Sequence, residues 1–223
     1  MKHTLISVEG TDGCGKKTHI QNLHEYFKKQ GKEVIIASFP NYQSPSSGPV
    51  KMYLGGEVGS NAMCLDAYQA STLYAVDRLC TMKQIMSTLD RPTVILFDRY
   101  VQSNMIHQAG KIENKKQRDK FLKWVDNFEF NVLKLPRPNK IIFLNVPPQI
   151  SIEIAQQRTT QKNGKDVDIH ENDSDHLRHA YEAATYVAKK FKWTVINLAT
   201  DDDTFDSVEA NFEKILKEVK GLV

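Results

Sequence analysis

The chain has 223 residues, 40% hydrophobic and 26% charged, with a formal net charge of +3. That length fits one hydrophobic core, so a single domain over 1–223 with an ordinary globular balance is expected. The slight basic excess suits anionic small molecules and is far too weak to argue for a nucleic-acid partner.

Cys14, Cys64 and Cys80 are odd in number and form no CxxC pair, so neither a disulfide framework nor a zinc site is expected. Leu5-Ile6-Ser7-Val8 is too short for the apolar region of a signal peptide. No stretch approaches the roughly 20 apolar residues of a membrane span. These features predict a cytoplasmic protein with no membrane association.

In chain order, Thr4 to Val8 reads as a buried strand closed by Glu9-Gly10. Ile20, Leu23, Tyr26 and Phe27 follow helical spacing from Lys16 to about Gln30, and Gly31 ends that helix. Further strands are expected at Glu33 to Ser38, Thr93 to Phe97, Lys140 to Val146 and Trp193 to Leu198. Helices are expected at Asp66 to Ser87, Lys116 to Leu133, Ile150 to Gln157, Asp173 to Lys190 and Thr204 to Lys220. Alternating helices and continuously apolar strands predict an α/β fold with a five-stranded parallel sheet covered on both faces. Arg158 to Ser174 has almost nothing apolar to anchor it, so a mobile, functional loop is expected there.

Directly after the first strand stands Gly10-Thr11-Asp12-Gly13-Cys14-Gly15-Lys16-Lys17-Thr18. It matches the phosphate-loop pattern GxxxxGK in the context the pattern needs, with a strand before it and a helix after. Gly10, Gly13 and Gly15 let backbone N–H groups close around phosphate oxygens. The helix beginning near Lys16 points its positive end at the same anion, and Lys16 adds a point charge. The pattern breaks at Lys17, where Ser or Thr would supply a hydroxyl to Mg²⁺. Thr18 is no simple substitute, because one step along a helix turns a side chain by about 100°.

Other motifs then follow in a fixed order: Phe39-Pro40-Asn41-Tyr42, Tyr74-Ala75-Val76-Asp77-Arg78, Asp98-Arg99-Tyr100 with Ser103-Asn104, and Asp168 to Asp173. With Glu9-Gly10-x-Asp12-Gly13, they make the chain resemble the thymidylate kinase family from Leu5 to about Leu198. The resemblance implies a P-loop kinase fold, ATP as phosphoryl donor, dTMP as acceptor, Mg²⁺, and a homodimer. It implies that Lys16 cradles the ATP phosphates and that Asp12 reaches the acceptor's sugar or phosphate. Arg99 clamps the dTMP phosphate, Asp98 holds the metal or its water, and Arg78 bonds a thymine carbonyl. Tyr74 or Phe39 stacks on the base, Asn104 reads its edge with Ser103 beside it, and Tyr42 sits by the acceptor phosphate. A cis Phe39-Pro40 bond is a further family trait. Arg158 packs against adenine, and the segment of about 158–174, with Lys162, Lys165, Asp168 and Glu171, forms a lid.

Two departures qualify the resemblance. Relatives without an arginine beside the phosphate-loop Asp often carry arginines in the lid. Here Gly13 fills the loop position and the lid after Arg158 offers only Lys162 and Lys165, leaving Lys17, a lid lysine or Arg158 as the transition-state cation. His107 stands where many relatives have Tyr next to the sugar C2′, which bears on discrimination against ribose. The open alternatives are another nucleoside monophosphate or deoxynucleoside kinase of the same fold, and, because of Lys17, an inactive nucleotide-binding homologue.

Overall fold

The computed structural model describes residues 2–10, 13–59, 61–147, 149–150, 174–199 and 204–223. Its centre is a five-stranded, all-parallel sheet of β1 (Thr4–Gly10), β2 (Glu33–Ser38), β3 (Thr93–Asp98), β4 (Lys140–Asn145) and β5 (Thr194–Asn197). The strands lie in the order β2-β3-β1-β4-β5.

Side chains alternate across this sheet, as a pleated strand requires. Ile6, Val8, Val94, Leu96, Ile142 and Leu144 face one side, where they meet Ile20, Leu23 and Phe27 of α1 (Lys16–Lys29) and the C-terminal helix Val208–Val219. Leu5, Ile95, Phe97 and Phe143 face the other side. There they pack chiefly on α3 (Ala67–Thr88) and α5 (Lys115–Asp126), with the short α4 (Val101–Ser103) beside them. Val50, Tyr53 and Leu54 of α2 (Gly48–Leu54) form a separate small cluster with Ala70 of α3. The helix α6 (Ser174–Lys190) completes that layer with Ala180, Ala183, Ala184 and Val187. β1 therefore leads to one face and β3 to the other. Adjacent parallel strands whose connections part in this way open a crevice at their carboxyl ends.

The five expected strands all form, β2 with the expected ends and the others with ends shifted by one or two residues. Asp66 is the N-cap of α3, and it closes a capping box with Gln69. The helix expected from Thr204 starts instead at Val208, because the Ser207 side chain caps it and Phe205 is held in a bridge with Ala199. The helix expected over 116–133 changes to π geometry over Asn127–Val132. A second π turn, Asn104–Gln108, follows α4. Gln149 and Ile150 are helical, and the remainder of the helix expected to 157 lies outside the described residues, as does the expected lid apart from Ser174.

Lys111 is the one lysine among the described residues whose pKa is pulled far down, to about 8 from 10.5. Burial is the main cause, and it outweighs the pull of Cys64 and Asp66. Its ammonium donates to Tyr53 Oη at 2.9 Å and the Leu65 carbonyl at 3.0 Å. Below about pH 8 both the folded and unfolded chains hold the proton. Between about 8 and 10.5 the unfolded chain holds it and the folded one does not, so stability rises with pH across that window. Thermal melts of the parent and Lys111→Met at pH 7.5 to 9.5 (roughly the window's lower half) are expected to show the parent gaining on the variant. A constant difference in Tm would contradict this.

Candidate active site

The phosphate loop leaves β1 at Gly10 and enters α1 at Lys16. Gly13 and Gly15 take φ of 84° and 76°, left-handed values that side chains other than glycine rarely adopt. Gly15 is the N-cap and offers no side-chain cap, so the first-turn N–H groups of α1 are left for an anion. The first helical backbone bond there is His19 N–H to the Gly15 carbonyl, at 3.2 Å. Lys16 is nearly buried and folds back over the loop, donating to the Gly10 carbonyl at 2.9 Å with Cys14 Sγ 3.7 Å away. Cys14 is buried, whereas Lys17 and Thr18 are exposed. Thr11 and Asp12 lie outside the described residues, as do Arg158, Lys162, Lys165, Asp168 and Glu171.

Beside the loop, β3 ends at Asp98, level with Val8 of β1. The chain then turns sharply at Arg99, whose φ of 65° is left-handed for a residue with a Cβ. Such strain persists only where neighbours enforce it. Arg99 N–H donates to the Val8 carbonyl at 3.3 Å, and Tyr100 N–H to Glu9 Oε1 at 2.7 Å. Glu9 is a fully buried carboxylate that also accepts from Ser7 Oγ at 2.8 Å and Ser103 Oγ at 2.7 Å. Burial raises its pKa, opposed by these donors and by the Arg99 charge. One acid on β1 thus fastens the turn that presents Arg99.

A cavity of about 370 Å³ opens at this point. Its lining brings together Phe39, Tyr42, Tyr74, Arg78, Asp98, Arg99, Ser103, Asn104 and His107, with Ser38, Pro40, Leu54 and Gln108 among them. Every acceptor-site residue singled out in the sequence, apart from Asp12, lines this one cavity. The Phe39-Pro40 bond is cis, and the Phe39 ring backs onto Phe97 and Tyr100 at centroid distances of 6.2 and 5.7 Å. Tyr42 is about half exposed at the rim (48%). Arg99 Nη1 lies 2.8 Å from His107 Nε2, a contact in which the guanidinium is the donor.

Three buried acids here had no role assigned from the sequence. Glu9 is the one acid of β1, buried near its end with Ser7 beside it. Asp77 accepts from Asn41 N–H at 2.8 Å and Ser46 Oγ at 2.7 Å, tying the segment after Pro40 to α3. Glu129 pairs with the buried Arg78, Nε to Oε2 at 2.6 Å and Nη2 to Oε1 at 2.7 Å. The signal for Glu129 was its place on the apolar face: Phe121, Leu122 and Val125 are buried on α5, and Glu129 is the next position at helical spacing.

A phosphate loop and a cation-bearing cavity sharing the β1–β3 crevice define a P-loop nucleotide kinase. The thymidylate kinase family model matches residues 8–210, and the chain belongs to that family. The thymidylate kinase of Mycobacterium tuberculosis is 32% identical over 172 residues, covering 77% of this chain and 79% of that protein. The thymidylate kinase of Caldicellulosiruptor saccharolyticus is 28% identical over 224 residues, covering 100% and 98%. The solved thymidylate kinase of Candida albicans superposes with a TM-score of 0.71 at 19% identity, covering 100% of this chain and 94% of that one, a likeness of fold.

Proposed function

We propose that the chain transfers the γ-phosphoryl of ATP to dTMP, giving dTDP and ADP. The observation that carries this reading is the shared crevice, which sets Lys16 and the first turn of α1 beside Arg99, Asp98 and the acceptor cavity. An acceptor phosphate oxygen attacks the γ-phosphorus in line, and the bond to the bridging oxygen of ADP breaks. That oxygen is already ionised at neutral pH, so no general base is required. Lys16 and the loop amides hold the donor phosphates, and the Arg99 fork holds the acceptor phosphate. Phe39 or Tyr74 stacks on the base, Arg78 and Asn104 read it, and Tyr42 lies by the phosphate. Asp12 toward the acceptor, Arg158 at adenine and the lid lysines Lys162 and Lys165 complete the reading, from outside the described residues. Lys17, on the exposed first turn of α1, adds a second cation near the phosphates.

Mg²⁺ fits this donor set. It keeps several waters and needs only one or two carboxylates plus phosphates. Asp98 is a half-buried carboxylate at the mouth of the cavity, and no described side chain hydrogen-bonds it. Bound there, the ion would neutralise charge on the phosphate oxygens. A homodimer is supported by α3, where Thr72, Val76, Cys80 and Lys83 line an exposed face with the half-buried Leu73 and Leu79. A cytoplasmic location accords with a described chain in which no helix is long and apolar enough to cross a membrane.

ADP release measured over dTMP, dUMP, UMP, dCMP and thymidine tests the proposal. Turnover is expected to be highest with dTMP, absent with thymidine and lost in EDTA. Preference for thymidine would make the chain a deoxynucleoside kinase, and no turnover with any acceptor would make it an inactive homologue. Turnover that persists in EDTA would remove the metal from the reading.

A further inference from the structure

Arg78 on α3 and Asn104 on the π turn after α4 come from separate segments, yet one carboxylate holds both. Glu129, from the π turn Asn127–Val132, is fully buried. Besides its two bonds from Arg78, its Oε1 accepts from Asn104 Nδ2 at 2.8 Å. The same Nδ2 donates to the Ser71 carbonyl at 3.2 Å. Both neighbours of that nitrogen are acceptors only. The amide is therefore fixed with its NH₂ toward Glu129 and Ser71, and its Oδ1 is the polar atom left for the cavity. Arg78 likewise turns its Nε–Nη2 edge to the carboxylate, which leaves Nη1 for the cavity that it lines.

We propose that Glu129 is the positioning residue that sets the donor and acceptor polarity of the cavity, and through it the base specificity. With Glu129 ionised, the cavity presents an acceptor from Asn104 beside a cationic donor from Arg78. A 4-oxo pyrimidine such as thymine or uracil offers the complement, an N3–H next to a C4 carbonyl. Cytosine offers an acceptor N3 next to an amino donor and meets both groups wrongly. A site built to hydrogen-bond one edge rejects the other because buried polar groups are left unpaired. The inference rests on the acceptor reading given under Proposed function.

Glu129→Gln tests it with little change of shape. The substituted amide cannot accept at both places. With its oxygen where Oε1 was, its NH₂ meets Arg78 Nε–H, and with its oxygen where Oε2 was, its NH₂ meets Arg78 Nη2 and Asn104 Nδ2. Either way Arg78 and Asn104 are no longer both held in their present polarity. The ratio of kcat/KM for dTMP over dCMP is expected to fall by about tenfold or more, with the ATP KM within about twofold. A merely structural role would lower Tm and leave that ratio in place, and an unchanged ratio overturns the proposal. Glu129→Asp keeps a charge opposite Arg78 but withdraws the oxygens from Asn104, so it decides the matter on the same ratio where the amide variant does not fold. The parent enzyme with N3-methyl-dTMP separates the two layers. Binding equal to that of dTMP overturns the acceptor reading itself. Weak N3-methyl-dTMP binding with an unmoved ratio in the variants overturns Glu129 alone.

Discussion

Lys16→Met is expected to lower kcat by about a hundredfold to a thousandfold, the effect of losing one preorganised charge over a transferring phosphoryl group. The thioether chain keeps most of the lysine stem, so packing against the loop is retained. What is lost is the ammonium that lies 2.9 Å from the Gly10 carbonyl. Each such bond to a backbone carbonyl contributes about 1 kcal/mol, and for a chain of this size about 1 kcal/mol moves Tm by about 2–4 °C. A large fall in kcat with a small change in Tm therefore assigns the lysine to catalysis. Near-normal kcat would remove Lys16 from that role, and a collapsed Tm would make the loop structural. Single-turnover measurement at saturating ATP and dTMP distinguishes a slower chemical step from weaker binding.

The sequence made the scaffold legible for a simple reason. Strands buried on both faces are written as continuous apolar runs, so β1 and β3 were placed to within two residues. The edge strand β2, Glu33–Ser38, was placed to the residue by its short apolar run, although Ile36 is exposed. The phosphate loop was legible because its geometry needs glycine at φ values other residues avoid, and Gly13 and Gly15 occupy them. The acceptor cavity was legible only through order of motifs, since Phe39, Arg78 and Asn104 are far apart in the chain and no local spacing joins them. The partners holding these residues were hidden. The two π turns, Asn104–Gln108 and Asn127–Val132, change the residues per turn, and no spacing in the sequence announces them. Glu129 could be seen as an acid on an apolar face, but nothing local says that its counter-charge stands 51 residues away at Arg78. The contact of His107 with Arg99 was equally hidden, since eight residues of chain separate the two.

That contact sharpens the expectation for Arg99→Lys. Arginine presents a planar fork able to bond two phosphate oxygens at once, whereas lysine presents a single point charge. At this position the fork is oriented on two sides. The backbone is held at φ 65° by the bonds to Val8 and Glu9, and Nη1 donates to His107. The side chain therefore meets the acceptor phosphate already aimed, with little freedom to lose on binding. The lysine variant retains the charge but loses both the second phosphate bond and the His107 contact. Its kcat/KM for dTMP is expected to fall by about a hundredfold while the ATP KM stays within about twofold. Arg99→Gly supplies the control for folding, because glycine adopts this backbone conformation without strain. It should keep a parent-like circular dichroism spectrum and lose at least as much activity toward dTMP as the lysine variant. If the ATP KM rises in the lysine variant while that for dTMP stays put, Arg99 belongs to the donor side of the crevice and the assignment of the phosphate clamp is wrong.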